Sequence, residues 1–237
     1  VSLNELLGLA RADIIARMDA DDICMAGRFE RQLDFLQSNP EVVCVGGQVE
    51  LIDNASRVLG VMGQPLAHEV IDRNHMKGHT SICHPAAMYR AEAVKRVGGY
   101  DIQYHTAQDL DLWLRLAEVG RLANIPEIVI RYRIHSGSAS EIKRTEQRDF
   151  ARRAQQTACQ RRGVRIPFEA TDDWRPGRDR YSQHFFALKY AWMAWNHGHR
   201  STCRHYACKA LRINPWSLAS WKLIYVALFK KPLETKR

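Results

Sequence analysis

Three carboxylates crowd into four consecutive positions of the chain, Asp19, Asp21 and Asp22. Like charges a few ångströms apart repel and raise one another's pKa, so such a cluster calls for a cation. Mg²⁺ or Mn²⁺ suits it, because these ions take oxygen ligands and let phosphate oxygens complete their shell. A nucleoside diphosphate leaving group is such a partner, since the metal neutralises the charge that develops as the bond to it breaks. The same acids also fit a solvated turn that caps the helix after them. A second candidate, Asp109, opens an apolar-faced helix, where free N–H groups and the macrodipole favour an ionised carboxylate able to act as a base. It fits a plain N-cap equally. His135, after Arg131-Tyr132-Arg133-Ile134, is a third candidate, a metal ligand in its neutral form and otherwise an ordinary surface residue.

These residues need elements to position them. Asp13-Ile14-Ile15-Ala16-Arg17-Met18 is a short apolar run ending abruptly in the acids. It reads as a buried strand that delivers them at its carboxyl end, where open α/β sheets bind ligands. Phe29, Leu33 and Leu36 recur at helical spacing, so residues 26–38 read as an amphipathic helix with those three on its apolar face, stopped by Asn39-Pro40. Val42 to Gly46 and Gln48 to Ile52 read as two strands, residues 53–63 as loop, 64–78 as a mixed stretch, and Ala86 to Tyr89 as a strand. Ala91 to Val97 reads as a helix ended by Gly98-Gly99. The next helix, from Gln108, carries Leu110, Trp113, Leu114 and Ala117 on one face, and Ile125 to Ile134 reads as a strand. Alternating strands and helices imply an α/β class.

Past Ser140 the character changes. Residues 141–162 form a highly charged helix candidate, and 171–180 a polar linker containing Pro176-Gly177. Tyr181 to Phe229 is helical and aromatic, with breaks at Asn196-His197-Gly198 and Asn214-Pro215. The chain thus divides into an α/β core at 1–140, a charged helix and linker at 141–180, and an all-helical extension at 181–237. Within the extension, Tyr206 to Pro215 resembles half of a tetratricopeptide-type repeat. Trp216, Trp221, Tyr225 and Phe229 beside Lys222, Lys230 and Lys231 would also suit an anionic membrane surface, or the ordinary packing of a helical cap on the core.

The composition, 46% hydrophobic and 26% charged, is that of an ordinary globular protein rather than a disordered one. No apolar run approaches the length that spans a bilayer, and Val1-Ser2-Leu3-Asn4 has neither a basic leader nor a signal-type core. A net charge of +9 implies attraction to polyanions, whether nucleic acid, lipid headgroups or a diphosphate-bearing substrate. The six cysteines lack any C-x-x-C pair and read as reduced structural thiols of a cytosolic protein.

Order and spacing then narrow the choice. The run Leu9 to Asp22, continuing Arg28-Phe29-Glu30-Arg31-Gln32-Leu33-Asp34-Phe35-Leu36, resembles the central segment of family 2 glycosyltransferases. The motifs that follow keep that family's order: His84-Pro85-Ala86-Ala87-Met88-Tyr89-Arg90, then Gly98-Gly99-Tyr100-Asp101, Gln108 to Arg115, and Tyr132-Arg133-Ile134-His135. Four ordered motifs are far more specific than one.

The resemblance, over roughly residues 1–140, implies a GT-A open sheet, partial at its N-terminus, and a hexosyltransferase-type enzyme of cell-envelope polysaccharide synthesis. It implies that Asp19 and Asp21 are the D-x-D pair, touching the ribose and metal of a nucleotide-sugar donor, with Asp22 as an auxiliary. Asp109 would be the catalytic base, Gly98 and Gly99 the loop shaping the acceptor side, and His135 a further ligand at the metal–diphosphate site. Mn²⁺ or Mg²⁺ would be the cofactor, a glycan or lipid-linked molecule the acceptor, and inverting single displacement the reaction. The implied location is the cytoplasm or the inner face of the membrane, with no nucleic-acid partner.

Two departures stand out. Gln108 occupies the place where the family usually has Glu, and the family's opening strands, which hold the nucleotide base, have no counterpart in residues 1–12. Readings from other classes are a metal-dependent phosphohydrolase, poorly served by Ile23 after the acids, and a basic helical adaptor, favoured by the +9 charge.

Overall fold

The computed structural model describes residues 3–134, 144–170, 177 and 179–230. The chain opens with α1 (Leu3–Leu9), β1 (Ile14–Ala16) and β2 (Ile23–Cys24), so the acids lie in the turn joining two short strands. Then come α2 (Arg28–Ser38), β3 (Val42–Ile52), β4 (Val58–Met62), α3 (His68–Met76), β5 (Met88–Arg90), α4 (Ala91–Arg96), α5 (Gln108–Leu116) and β6 (Arg121–Arg133). The helices α6 (Arg144–Arg162), α7 (Arg180–Asn196), α8 (Arg200–Ile213) and α9 (Leu218–Phe229) follow. Strands lie in the order β1-β5-β3-β6-β2, with β4 beside β3, and β1/β5, β3/β5 and β2/β6 are antiparallel. The fold is therefore α/β with an all-helical C-terminal part, as the sequence implies.

Two compact units divide the chain. One comprises Val1–Val49, Gly63–Arg131 and Lys143–Asp172, the other Glu50–Met62, Tyr132–Ile142 and Asp173–Arg237. Both are assembled from separated stretches, so the division at 140 and 180 remains a proposal about domains.

In the first unit, α2 forms where its spacing predicts but turns a different face inward. Leu36 is fully buried, whereas Phe29 is 52% exposed and Leu33 36%. The other inward residues are Arg28 and Gln32. Their neighbours explain this. Arg28 Nη2 donates to the carbonyl oxygens of Arg17 (2.9 Å) and Ala87 (3.4 Å), and Nε to Gln32 Oε1 (2.9 Å). Gln32 Nε2 donates to the carbonyls of Ala86 (2.9 Å), Val45 and Gly46 (both 3.2 Å). Buried carbonyl groups demand donors, and that demand outweighs burial of two more apolar side chains.

β3 runs unbroken through Gly46-Gly47, where two strands are expected. A Cβ on Gly46 would stand 2.2 Å from Asn124 Oδ1, and one on Gly47 2.6 Å from Val129 Cγ1. The glycines thus admit side chains of β6 and do not mark a turn. β4 and α3 form where the sequence shows loop and mixed text. α3 buries only Ile71, His75 and Met76, too few apolar positions to show a period.

The core of this unit gathers Cys44, Ile82, Tyr89, Val94, Leu112, Trp113 and Leu122. A second cluster seats Ala151, Ala154, Ala158 and Cys159 of α6 against Met76, Leu110 and Leu114. Small residues at i, i+3 and i+7 let a charged helix approach closely and leave its polar sides in water.

In the second unit, α7, α8 and α9 pack together, with α7 also against β4. Gly60 permits that last contact, since it has φ 153° and its Cβ would stand 2.6 Å from Met193 Cγ. The inward residues include Phe186, Tyr190 and Ala194 of α7, Cys203, Tyr206 and Ala210 of α8, and Leu223 and Ala227 of α9. Asp179 and Ser217 accept the N–H groups of Ser182 and Ser220, capping α7 and α9. Asp53, 5% exposed, accepts the N–H groups of Ala55 and Arg57, the Arg57 guanidinium and the Tyr206 hydroxyl (2.8–2.9 Å). Burial pushes its pKa up, but the hydrogen bonds from Arg57 and Tyr206 outweigh that and hold it below 3.8.

Candidate active site

β1 and β2 are held at opposite edges of the sheet, β1 on β5 and β2 on β6, and the acids occupy the turn between them. Asp19, Asp21 and Asp22 bring one carboxylate oxygen each within 4.8 Å of the others, with Asp22 buried, Asp19 half-buried and Asp21 exposed. Oxygen ligands across a Mg²⁺ shell stand about 4.2 Å apart, so the cluster has the span and the hard-donor chemistry of one such ion. The residues present fit the group.

A cation of the chain already stands there. Arg17 Nη2 is 2.6 Å from Asp19 Oδ1. Arg17 and Asp19 both lie past the end of β1, in the segment that leads into the acid turn. Its charge also reaches Asp109 and His84.

Asp109 lies in the first turn of α5, half-buried. The residue before the helix, Ala107, has a left-handed backbone (φ 56°, ψ 21°), which fixes where the helix begins. Desolvation raises the Asp109 pKa above 3.8 and the charge of Asp19 adds to the rise, while N–H groups of Leu110 and Asp109 and the charge of Arg17 oppose it. A carboxylate shifted in this direction is a stronger base than a free one.

Asp111, two residues on, is buried and paired instead with Arg115, whose Nε and Nη2 reach Asp111 Oδ2 at 3.0 and 2.5 Å. Arg115 Nη1 then donates to the carbonyls of Val97 (2.6 Å) and Gly99 (2.7 Å). Gly98 and Gly99 both have left-handed φ (83° and 72°). From the other side, Asn4 exchanges hydrogen bonds with Tyr100, Nδ2 to O at 2.7 Å and N to Oδ1 at 2.9 Å. The glycine loop is thus clamped at both flanks.

Sequence reasoning assigned no role to the floor of this region. His84 Nε2 lies 2.8 Å from Tyr100 Oη, and its ring meets Trp113 edge-on at 5.9 Å. Burial, reinforced by Arg17, holds His84 neutral, with a pKa well below 6.5. Cys83 lies among Asp22, Asp109 and Arg17, and burial pushes its thiol pKa up. His84, Tyr100 and Arg17 stand inside the family-like motifs, which carry the residues but no sign of their role.

The structure brings Asp19, Asp21, Asp22 and Asp109 into one electrostatic neighbourhood. His135 lies outside the described residues. β6 pairs with β2 at Ile23↔Arg131, one residue past Asp22 and four before His135.

A family model described as Glycosyl transferase family 2 matches residues 1–98. An uncharacterized glycosyltransferase of Haemophilus influenzae is 34% identical over 142 residues, 59% of this chain and 51% of its own length. Amylovoran biosynthesis glycosyltransferase AmsE of Erwinia amylovora is 33% identical over 57% of this chain and 54% of its own. An Escherichia coli protein named UDP-Gal:alpha-D-GlcNAc-diphosphoundecaprenol beta-1,3-galactosyltransferase is 29% identical over 58% of this chain and 50% of its own. The chain thus spans about half the length of the curated relatives it matches. A solved mannosyltransferase, PcManGT of Pyrobaculum calidifontis in complex with GDP-Man and Mn²⁺, aligns with 96% of this chain and 59% of its own at 16% identity. Its TM-score of 0.44 is too low to bear on chemistry.

Proposed function

We propose, from the match of residues 1–98 to the glycosyl transferase family 2 model, that the protein moves a sugar from a nucleotide-diphosphate donor to an acceptor hydroxyl, with Asp109 as base. The observation that carries this reading is the juxtaposition of Asp109 with Asp19 around Arg17, close enough for each charge to move the Asp109 pKa.

Asp109 accepts the proton of the acceptor hydroxyl as that oxygen attacks the anomeric carbon. The bond from that carbon to the donor phosphate oxygen breaks, the nucleoside diphosphate leaves, and the configuration inverts. Asp19 and Asp21, with Asp22 as an auxiliary and, by the family resemblance, His135 of the later motif as a further ligand, would hold Mn²⁺ or Mg²⁺, which would supply positive charge for the departing diphosphate. Arg17 orients Asp19 through their ion pair. The glycine loop at Gly98-Gly99, clamped by Asn4 and Arg115, borders the acceptor. The names of the relatives favour a growing polysaccharide or a lipid-diphosphate-linked sugar as acceptor. Six free cysteines suit a reducing compartment, so the reading places the reaction in the cytoplasm.

The test uses the intact protein. Asp109→Asn should keep nucleoside-diphosphate binding and lower kcat by about 10²–10⁴. Excess chelator should abolish turnover, and added Mn²⁺ should restore it. Asp111→Asn should act instead on thermal stability, through Arg115 and the glycine loop. Near-wild-type kcat in Asp109→Asn, or full turnover in chelator, would overturn the reading.

A further inference from the structure

Between Arg180 and Lys230 the chain has eight Lys and Arg and no Asp or Glu. That interval is α7, α8 and α9, so the helical part is a body of one sign of charge. Its last helix has two sharply different faces. Ser220, Leu223 and Ala227 are buried. Leu218, Trp221, Tyr225 and Phe229 stand out in water at i, i+3, i+7 and i+11, a single stripe along the helix. Trp216, 92% exposed, extends the stripe past the N-terminus of α9, and Trp221 Nε1 donates to the Pro215 carbonyl at 2.9 Å. Lys222 and Lys230 are exposed beside it, with Lys230 Nζ 6.0 Å from the Tyr225 ring centre. On α7, Tyr181 and Phe185 are exposed on either side of His184, whose Nε2 lies 2.8 Å from Ser220 Oγ of α9.

Large apolar side chains exposed in a row mark a surface that something covers. The charge decides what. A second copy would bring the same acid-free, positive face and be repelled, so the occupant must be anionic. It must also receive tryptophan, tyrosine, phenylalanine and leucine together, which a nucleic-acid backbone does poorly over an aliphatic row and a lipid headgroup layer does well. The helix lies flat, because α9 spans about 18 Å against about 30 Å of bilayer hydrocarbon. No described helix is long and apolar enough to cross a membrane.

We propose that Trp216 and the outward stripe of α9 form a docking surface for an anionic phospholipid bilayer. The rings and Leu218 enter the headgroup boundary, and Lys222 and Lys230 meet lipid phosphates. This inference stands apart from the transferase reading, and its test contains neither sugar donor nor metal.

The full chain is floated with vesicles of phosphatidylcholine alone and with added phosphatidylglycerol, at low and high salt. It should float with the anionic vesicles only and be released by salt. Trp221→Ser/Tyr225→Ser/Phe229→Ser should lower the bound fraction on the order of tenfold or more, and Lys222→Gln/Lys230→Gln about tenfold. Circular dichroism checks that the variants keep their helices. Should the aromatic variant not fold, quenching of wild-type tryptophan emission by brominated lipid gives the same answer. Absence of flotation with phosphatidylglycerol vesicles, or unchanged binding by the folded aromatic variant, overturns the proposal. So does a wild-type chain that ignores lipid and self-associates through the stripe in sedimentation.

Discussion

The two units use carboxylates in opposite ways. In the second, Asp53 has both oxygens occupied by backbone N–H groups, a guanidinium and a hydroxyl, and its work is to hold a turn against α8. In the first, Asp19, Asp21, Asp22 and Asp109 share one neighbourhood with Arg17 as a near cation. A carboxylate whose acceptor positions are full can only stabilise. One crowded by others of its own charge is under repulsion that a proton or a cation relieves.

The contrast is most exposed to attack at the support of the acid turn. Arg28→Met keeps volume but strips the donors from the Arg17 and Ala87 carbonyls, and should cost about 3–5 kcal/mol in denaturant unfolding. A loss below about 1 kcal/mol would mean that the strut does not hold the turn.

Acid should separate the units next. His75 is fully buried and accepts the Ser81 N–H at Nε2 (3.0 Å), and burial lowers its pKa to about 3. The unfolded chain, with His near 6.5, therefore binds more protons below that value. Stability from this group is complete above pH 6.5 and falls by up to about 1.4 kcal/mol per pH unit towards pH 3. Asp53 has the depressed pKa of a satisfied acid, so its contribution is complete above 3.8 and lost only as pH falls lower. Hydrogen exchange between pH 7 and 4 should show amides of α3 losing protection before those of α8. The reverse order would break the comparison.

A smaller effect sharpens the satisfied end. Tyr206→Phe removes one of the donors to Asp53 and should cost about 1.5 kcal/mol at pH 7, read as a fall in Tm. A Tm equal to wild type would show the hydroxyl to be dispensable. Smallest of all, Phe29→Ser and Leu33→Ser should each stay within about 0.5 kcal/mol, despite being the apolar positions of α2. A loss of several kcal/mol would restore the apolar face.

That inversion shows where legibility stops. The short strand ahead of Asp19 to Asp22, although it is a half-buried edge strand of three residues and not a buried one, the helix opened by Asp109, and α7, α8 and α9 with breaks at Asn196-His197-Gly198 and Asn214-Pro215 were readable because their signals are local. The inward face of α2 was not, because the carbonyls that Arg28 and Gln32 serve belong to Arg17, Val45, Gly46, Ala86 and Ala87, remote in sequence. β4 and α3 escaped because a strand of five residues and a helix with three buried positions carry too few apolar residues for a period. Within the site, the acids and Asp109 were visible by type and spacing. Arg17 and His84 take meaning only from neighbours that the fold supplies.

The left-handed Ala107 carries one more consequence. An alanine there costs about 1–2 kcal/mol that glycine would not, yet its methyl group packs among Tyr104, Leu110 and Leu114. Glycine would ease the backbone and surrender that packing, and with it the fixed origin from which α5 aims Asp109.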